Sequence, residues 1–305
     1  MQELTFTVPE EYDGGTVQAF LRRGCGLSSR MLARFRQVDR GILADGVPLR
    51  TIDPIRTGQV LTLRLPQDTL RVEPADLPLS VAYEDESVLV VDKPPYLAVH
   101  PSAGKPEPTL AAAVVAHYQR GGQSLSFRPL NRLDRNTSGL LLAAKNAHAA
   151  FVLSPQNPHV QEGTRRVEKE YLAIALGRLE GEGVVDQPIR VREGSCITRE
   201  VGEGGKPSLT RWKALAGNDA VTLLHVVIET GRTHQIRVHM AWLGHPLAGD
   251  TLYGFDDGLL PRHGLHCAAL RFQHPMTGET VGLKSRLPED MRRLLAEQGL
   301  PHTAD

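Results

Sequence analysis

The sequence predicts an α+β protein: a central mixed, mostly antiparallel sheet preceded by a small N-terminal α+β module. From about Ser80 onward, short strand-like runs such as SVLVVDK, GLLLAAKN, EYLAIAL and VTLLHVVIET outnumber helical stretches and do not alternate regularly with them. That order disfavours a doubly wound parallel sheet. The first 66 residues read instead as helix, helix and hairpin. Between the two lies QDTLRVEPADLPL, residues 67–79, with two prolines, three acidic residues and little periodicity, as expected of a linker. The expected division is therefore 1–66, 67–79 and 80–305, in keeping with a 305-residue chain at roughly 150 residues per domain.

Within the first unit, Val17, Phe20 and Leu21 stand at i, i+3 and i+4, and Leu32 and Phe35 repeat the i+3 spacing, so two short amphipathic helices flank Gly24 and Gly26. Ser28 is the expected cap of the second. The span from Val17 to Arg40 holds six arginines and one aspartate, a net +5, although the chain as a whole balances 35 basic against 35 acidic residues. Arg30 and Arg34 share a helical face, and Arg36 and Arg40 are spaced as a second pair. Turn signals at Asp45-Gly46 and Thr57-Gly58 bracket the short strands that close the unit.

In the second unit the most informative stretch is FRPLNRLDRNTSGLLLAAKN, residues 127–146. Asp134 sits in a polar loop directly before an apolar strand, so a rigid element anchors it, as a catalytic carboxylate requires. Arg132 and Arg135 flank it and favour its charged form. On residues alone, such a triplet reads first as a structural ion pair. Tyr171, in EYLAIAL, likewise reads first as a strand tyrosine packed in the core. Arg232 lies in the turn before a helical stripe of Ile236, Met240 and Leu243, near a helix N-terminus where anions are favoured.

Several classes are excluded. Apolar residues at 41% and charged residues at 23% rule out a disordered tail or a fibre. The longest apolar run, Leu110 to Ala116, has seven residues against the roughly 20 of a membrane-spanning helix. The opening MQELTFTVPEEYD carries four carboxylates and no basic residue, so neither a secretory signal nor a transit peptide fits and a cytoplasmic protein is expected. Cys25, Cys196 and Cys267 form no CxxC pair. HExxH and the zinc-deaminase pattern are missing, and GEGGKPS fails as a phosphate loop because Pro207 follows Lys206. No metal and no cofactor are expected.

The string NRLDRNTSGLLL, residues 131–142, is similar to the HRLDxxTSGLLL signature of the RluA family of pseudouridine synthases. Further segments follow in that family's order: EDESVLVVDKPPYLAVHPS at 84–102, KEYLAIALG at 169–177, GKPSLTRWKAL at 205–215, ETGRTHQIRVHMAWLGHPLAGDTLYG at 229–254 and LHCAALRFQHPMTGE at 265–279. The resemblance implies the pseudouridine synthase fold from Ser80 onward, with Asp134 as nucleophile. It also implies Arg132 inserted beside a flipped nucleotide, Tyr171 stacked on the uracil and taking the C5 proton, and Arg232 paired with Asp134. Lys93, Lys206 and Arg237 are expected at RNA phosphates, and His100, His234 and His239 are expected to be hydrogen-bonded structural groups. The first unit, FLRRGCGLSSRMLARFRQVDRGILADGVPL followed by GQVLTL, resembles the alpha-L RNA-binding module, which makes Arg30 and Arg34 RNA contacts. Two positions depart from the family pattern: Asn131 stands where histidine is usual, and Pro95-Tyr96 where a small residue and glycine are common.

The implied reaction suits these residue types. Converting uridine to pseudouridine breaks the bond from N1 to the ribose, turns the uracil and joins C5 to the same ribose carbon, losing only the C5 proton. A carboxylate suffices, whether it attacks ribose C1′ or uracil C6. A stacked uridine must first be extruded, at a cost of a few kcal/mol. The expected substrate is large-subunit ribosomal RNA, with transfer RNA second, and the expected working unit is a monomer. Two competing readings are a non-catalytic RNA-binding or ribosome-assembly factor and a nucleoside hydrolase or glycosidase. The second calls for another carboxylate beside Asp134, and none stands out in the sequence.

Overall fold

A computed structural model describes residues 3–27, 29–64, 72–101, 108–154 and 167–301. Ser28, the expected helix cap, and residues 67–71 of the expected linker lie outside these, as does the side chain of Arg30.

The chain begins with β1 (Glu3–Thr7) and enters α1 (Val17–Ala19), where the Thr16 hydroxyl accepts from the Ala19 amide. The helix then widens into a π turn over Phe20–Gly24, with the Cys25 amide bonding the Phe20 carbonyl. Sequence spacing shows an ordinary helix here. The wider turn buries both Phe20 and Leu21, and Gly24 makes room for it, because a Cβ there would lie 2.8 Å from the Phe20 ring.

After α2 (Ser29–Arg36) come β2 (Ile42–Ala44), β3 (Val47–Pro48) and β4 (Val60–Arg64). They form an antiparallel sheet in the order β1-β4-β2-β3. Asp45 (φ 48°) and Gly46 (φ 82°) make the expected two-residue hairpin between β2 and β3. Because α2 stops at Arg36 and the chain turns so that Gly41 meets the Phe35 carbonyl, Arg40 does not share a helix with Arg36. Val17, Phe20, Leu21, Leu32, Phe35, Leu61 and Leu63 pack between helices and sheet.

The second sheet draws on β5 (Ser80–Glu84), β6 (Val88–Lys93), β7 (Arg128–Pro129) and β8 (Ser138–Ala144). Helix α3 (Leu110–Arg120) lies between β6 and β7, and α4 (Ala147–Val152) follows β8. Next come β9 (Val167–Leu176), β10 (Glu182–Asp186), a separate hairpin of β11 (Ile189–Val191) and β12 (Arg199–Val201), and then β13 (Leu209–Gly217) and β14 (Val221–Ile228). The chain closes with α5 (Gln235–Trp242), β15 (Leu265–Gln273), β16 (Thr280–Lys284) and α6 (Glu289–Glu297). The sheet has ten strands, in the order β10-β13-β14-β9-β15-β8-β6-β5, with β16 added to β15 and β7 to β8.

The strands the sequence suggested, β6, β8, β9 and β14, occupy the middle of this sheet, where both faces are covered. On β9, Tyr171, Ala173 and Ala175 belong to one core with α3 and α5, whereas Leu172 and Ile174 meet α6 on the opposite face. Among the described residues all pairings are antiparallel except β15 with β8, which run parallel with His266 opposite Ser138 and Cys267 opposite Gly139. Gly139 has φ +105°, and a Cβ there would come within 2.2 Å of the Cys267 carbonyl oxygen, so only glycine permits the junction. Among the described residues, no helix is long and apolar enough to cross a membrane.

Candidate active site

Asp134 lies on the loop from β7 to β8, beside that parallel junction. The Thr137 amide donates to the Asp134 carbonyl at 3.1 Å, closing a turn whose two central residues are Arg135 and Asn136. Three buried side chains grip the turn. The Lys93 ammonium donates to the Arg135 carbonyl (3.0 Å), the Arg262 guanidinium donates to the Asn136 carbonyl (3.0 Å), and Thr137 Oγ1 bonds His263 Nε2 (2.9 Å). Arg262 is itself held by both oxygens of Asp290 on α6 (2.7 and 2.9 Å). Asn131 is buried alongside β8. Its amide nitrogen donates to the Leu140 carbonyl and its oxygen accepts from the Leu142 amide, so it is paired as a strand residue would be.

The partner of the Asp134 carboxylate comes from α5. Arg237 Nη1 donates to Asp134 Oδ2 at 3.1 Å, while its Nε and Nη2 donate to the two oxygens of Asp250 at 2.7 and 2.8 Å. The Arg237 guanidinium also lies 5.0 Å from the centre of the Tyr253 ring. The Tyr253 oxygen accepts from the Arg199 amide, leaving its proton for His234 Nδ1 at 2.7 Å. That assignment puts the His234 proton on Nε2, 3.9 Å from Asp134 Oδ1. Burial pulls the His234 pKa down, more than the Asp134 charge raises it, so the ring is neutral. His263 is driven to about 3 by burial, with the Arg237 charge adding to it.

Tyr171, 4% exposed on β9, lies opposite Cys267 of β15 and close enough to Asp134 to feel its charge. Burial first, then the neighbouring Cys267 and Asp134, push its phenol well above the ordinary value and keep it protonated. The site thus joins one half-exposed carboxylate, an arginine fixed against it and a neutral buried phenol. Among the described residues no three His, Cys, Asp or Glu side chains cluster as metal ligands would.

Several sequence expectations need correction. Arg232 is exposed and donates its Nε to the Pro207 carbonyl (3.1 Å), and the arginine paired with Asp134 is Arg237. The Gln235 side chain, bonded to Thr230 and to the Arg232 amide, fastens this turn against β13, and Arg237, two residues further along α5, is the one that reaches Asp134 and Asp250. Arg237 is therefore engaged by two carboxylates at 6% exposure and presents no surface to a phosphate. Lys93 has no exposed surface. Its ammonium serves the carbonyls of Pro94, Leu97 and Arg135, and burial, followed by the Arg262 charge, pulls it down to about 7.

Arg135 donates its Nε to the Tyr96 carbonyl, and Arg132 lies exposed near His100, whose pKa falls through burial and then through the Arg132 charge. Lys206 is exposed on the loop from β12 to β13, and Arg34 is half-buried on α2. His239 is buried between Thr210 and the Gln187 carbonyl. The sequence pattern gave no role to Asp250, Tyr253, Arg262 or His263. The first two lie in the segment HPLAGDTLYG, which carries part of the family resemblance.

A family model described as RNA pseudouridylate synthase matches residues 87–242. The chain is 38% identical over 277 residues to a protein of Bacillus subtilis described as an uncharacterized RNA pseudouridine synthase, covering 88% of this chain and 95% of that one. It is 41% identical over 238 residues to ribosomal large subunit pseudouridine synthase D of Nitrosomonas europaea, covering 75% and 68% of the two chains. The counterpart of the same name from Vibrio vulnificus is 33% identical over 324 residues, covering 98% of each. Among solved structures, human RNA pseudouridylate synthase domain containing 4 superposes with a TM-score of 0.57 at 22% identity, over 73% of this chain and 94% of that one. Human RNA pseudouridylate synthase domain containing 1 gives 0.55 at 28% identity, over 76% and 98%.

Proposed function

The chain belongs to the RNA pseudouridylate synthase family and is an RNA pseudouridine synthase, and from that premise we propose that it acts on large-subunit ribosomal RNA with Asp134 as its nucleophile. One observation carries the assignment of the nucleophile. Asp134 has one oxygen held by an arginine that a second carboxylate locks in place, while its other oxygen lies 3.9 Å from His234, beyond hydrogen-bonding range. A carboxylate oriented in this way can serve as a nucleophile with no other group to activate it. Support for the ribosomal target comes from the relatives named ribosomal large subunit pseudouridine synthase D.

In this reading the target uridine leaves its stack and Arg132 occupies the space beside it. The uracil lies against Tyr171. Asp134 attacks ribose C1′ or uracil C6, the bond from N1 to C1′ breaks, C5 bonds C1′ after the base has turned, and the bond to Asp134 breaks to return the free carboxylate. The C5 proton then departs. Because burial keeps Tyr171 protonated, it accepts that proton only while releasing its own, as a relay rather than a standing phenolate base. Arg237 takes the pairing role that the family resemblance implied for Arg232. Residues 1–66 act as a binding module through Arg30 and Arg34, joined through 67–79 to a catalytic domain at 80–305. Lys206 contacts RNA phosphate, and the working unit is a single copy in the cytoplasm.

The test is release of tritium from RNA labelled at uridine C5, with protein-free ribosomal and transfer RNA assayed separately. Release from ribosomal RNA that disappears with Asp134→Asn is the expected result. Turnover by a clean Asp134→Asn preparation rules out the nucleophile, and release from transfer RNA alone rules out the target.

A further inference from the structure

Tyr96, on the loop after β6, has φ +65°. Among the described residues, the other non-glycine positions with positive φ are Arg40, Asp45 and His234. Asp45 forms the hairpin turn and His234 starts α5 beside Asp134, and both are residue types that tolerate this region. A bulky aromatic does not tolerate it well. Nor does burial of the ring offset the strain, because Tyr96 is 49% exposed. Backbone strain retained without a packing reason is a feature that clusters at ligand contacts.

The rest of the loop explains how the conformation is held. The Lys93 ammonium bonds the carbonyls of Pro94 and Leu97, one on each side of Tyr96, so the chain wraps around a single buried cation. The same ammonium bonds the Arg135 carbonyl, and the Arg135 guanidinium returns a bond to the Tyr96 carbonyl (3.3 Å). Tyr96 is thereby fixed to the turn that carries Asp134. Arg135 is exposed on that turn, and Arg132 is exposed two residues before Asp134. An exposed aromatic on rigid backbone beside guanidinium groups is the chemistry that receives an unpaired base and its phosphate.

We propose that Tyr96 is a specificity-determining residue whose ring stacks on a base neighbouring the extruded uridine. The inference rests on the reading of this site as one that extrudes uridine from RNA. The sequence supports a role particular to this chain, because the position that suits glycine conformationally carries instead the residue that glycine cannot imitate.

The experiment uses the full chain and an RNA whose conversion depends on Asp134, comparing Tyr96→Phe, Tyr96→Asn and Tyr96→Gly. Asparagine and glycine both accept the left-handed backbone, so they remove the ring without disturbing the loop. The expected result is a KM about tenfold higher for both, with kcat at saturation unchanged and a melting temperature no lower than the parent's. Tyr96→Phe keeps the parent's KM. An unaltered KM in the asparagine and glycine variants overturns the proposal, as does a fall in their melting temperature, which would make the ring structural. Conversion by Asp134→Asn would instead overturn the assignment of the nucleophile, so the two failures are distinct.

Discussion

At Arg237 two carboxylates share one guanidinium, and geometry divides it between them. Asp250, 1% exposed, takes the bidentate edge of Nε and Nη2, and Asp134 takes one bond from Nη1. Burial alone would raise the Asp250 pKa, but the bonds and charge of Arg237 outweigh it and hold the carboxyl below its ordinary value. The unfolded chain therefore takes up this proton first as pH falls. The contribution of Asp250 is complete above about pH 4 and is lost as pH drops through the folded value. Asp250→Asn should destabilise the protein by about 3–5 kcal/mol at pH 7, since it leaves a buried charge short of its partner. Denaturant titrations at pH 7 and along the acid limb check this, and an acid limb as steep as the parent's speaks against it. Asp134 was legible in the sequence because its loop and strand are contiguous. The Arg237–Asp250 pair was not, because the left-handed turn at His234 decides which arginine of GRTHQIR faces inward, and that turn has no signature in the string.

Among the elements, β8 is the one on which the site depends. Its burial from Ser138 to Ala144 follows from an unbroken apolar run, and β6, β9 and β14 were readable for the same reason. The short, partly exposed strands β10 to β12 have no comparable pattern. The parallel pairing with β15 was equally hidden, because it joins segments 128 residues apart through two residue pairs. Gly139→Ala should cost roughly 3 kcal/mol or more, combining a strained φ with a Cβ driven into the Cys267 backbone. Thermal unfolding reads the loss. A variant that melts with the parent would mean that β8 and β15 can part at this point without consequence.

Across the whole molecule, the small sheet rests on the large one through α4. Phe6 of β1 meets His148 edge-on with ring centres 5.5 Å apart, and Ala147 and Phe151 pack against the N-terminal core. Burial lowers the His148 pKa to about 4, so this contact is uncharged at neutral pH. This contact joins the unit that carries the +5 stretch to the large sheet, even though the chain has no net charge. Replacing Arg34 and Arg36 by glutamate should lower the slope of log K for RNA against log salt by about 0.7 to 0.9 for each phosphate that is no longer neutralised. A slope equal to the parent's would remove this helix from the RNA-binding surface. The basic stripe was readable from composition, whereas the docking through α4 was not, since Phe6 and Phe151 are isolated aromatics in the string.

The grip on the Asp134 turn also sets an order in time. Asp134, Tyr171 and Arg237 are translated well before Arg262, which bonds the Asn136 carbonyl from 126 residues downstream, and before α6, whose Asp290 holds Arg262. A nascent chain therefore carries its chemical groups while β8 still lacks β15 and the turn lacks its support. Non-local closure of this kind comes late in folding. The Asp134 turn therefore gains its full support only once the segment through α6 has been synthesised.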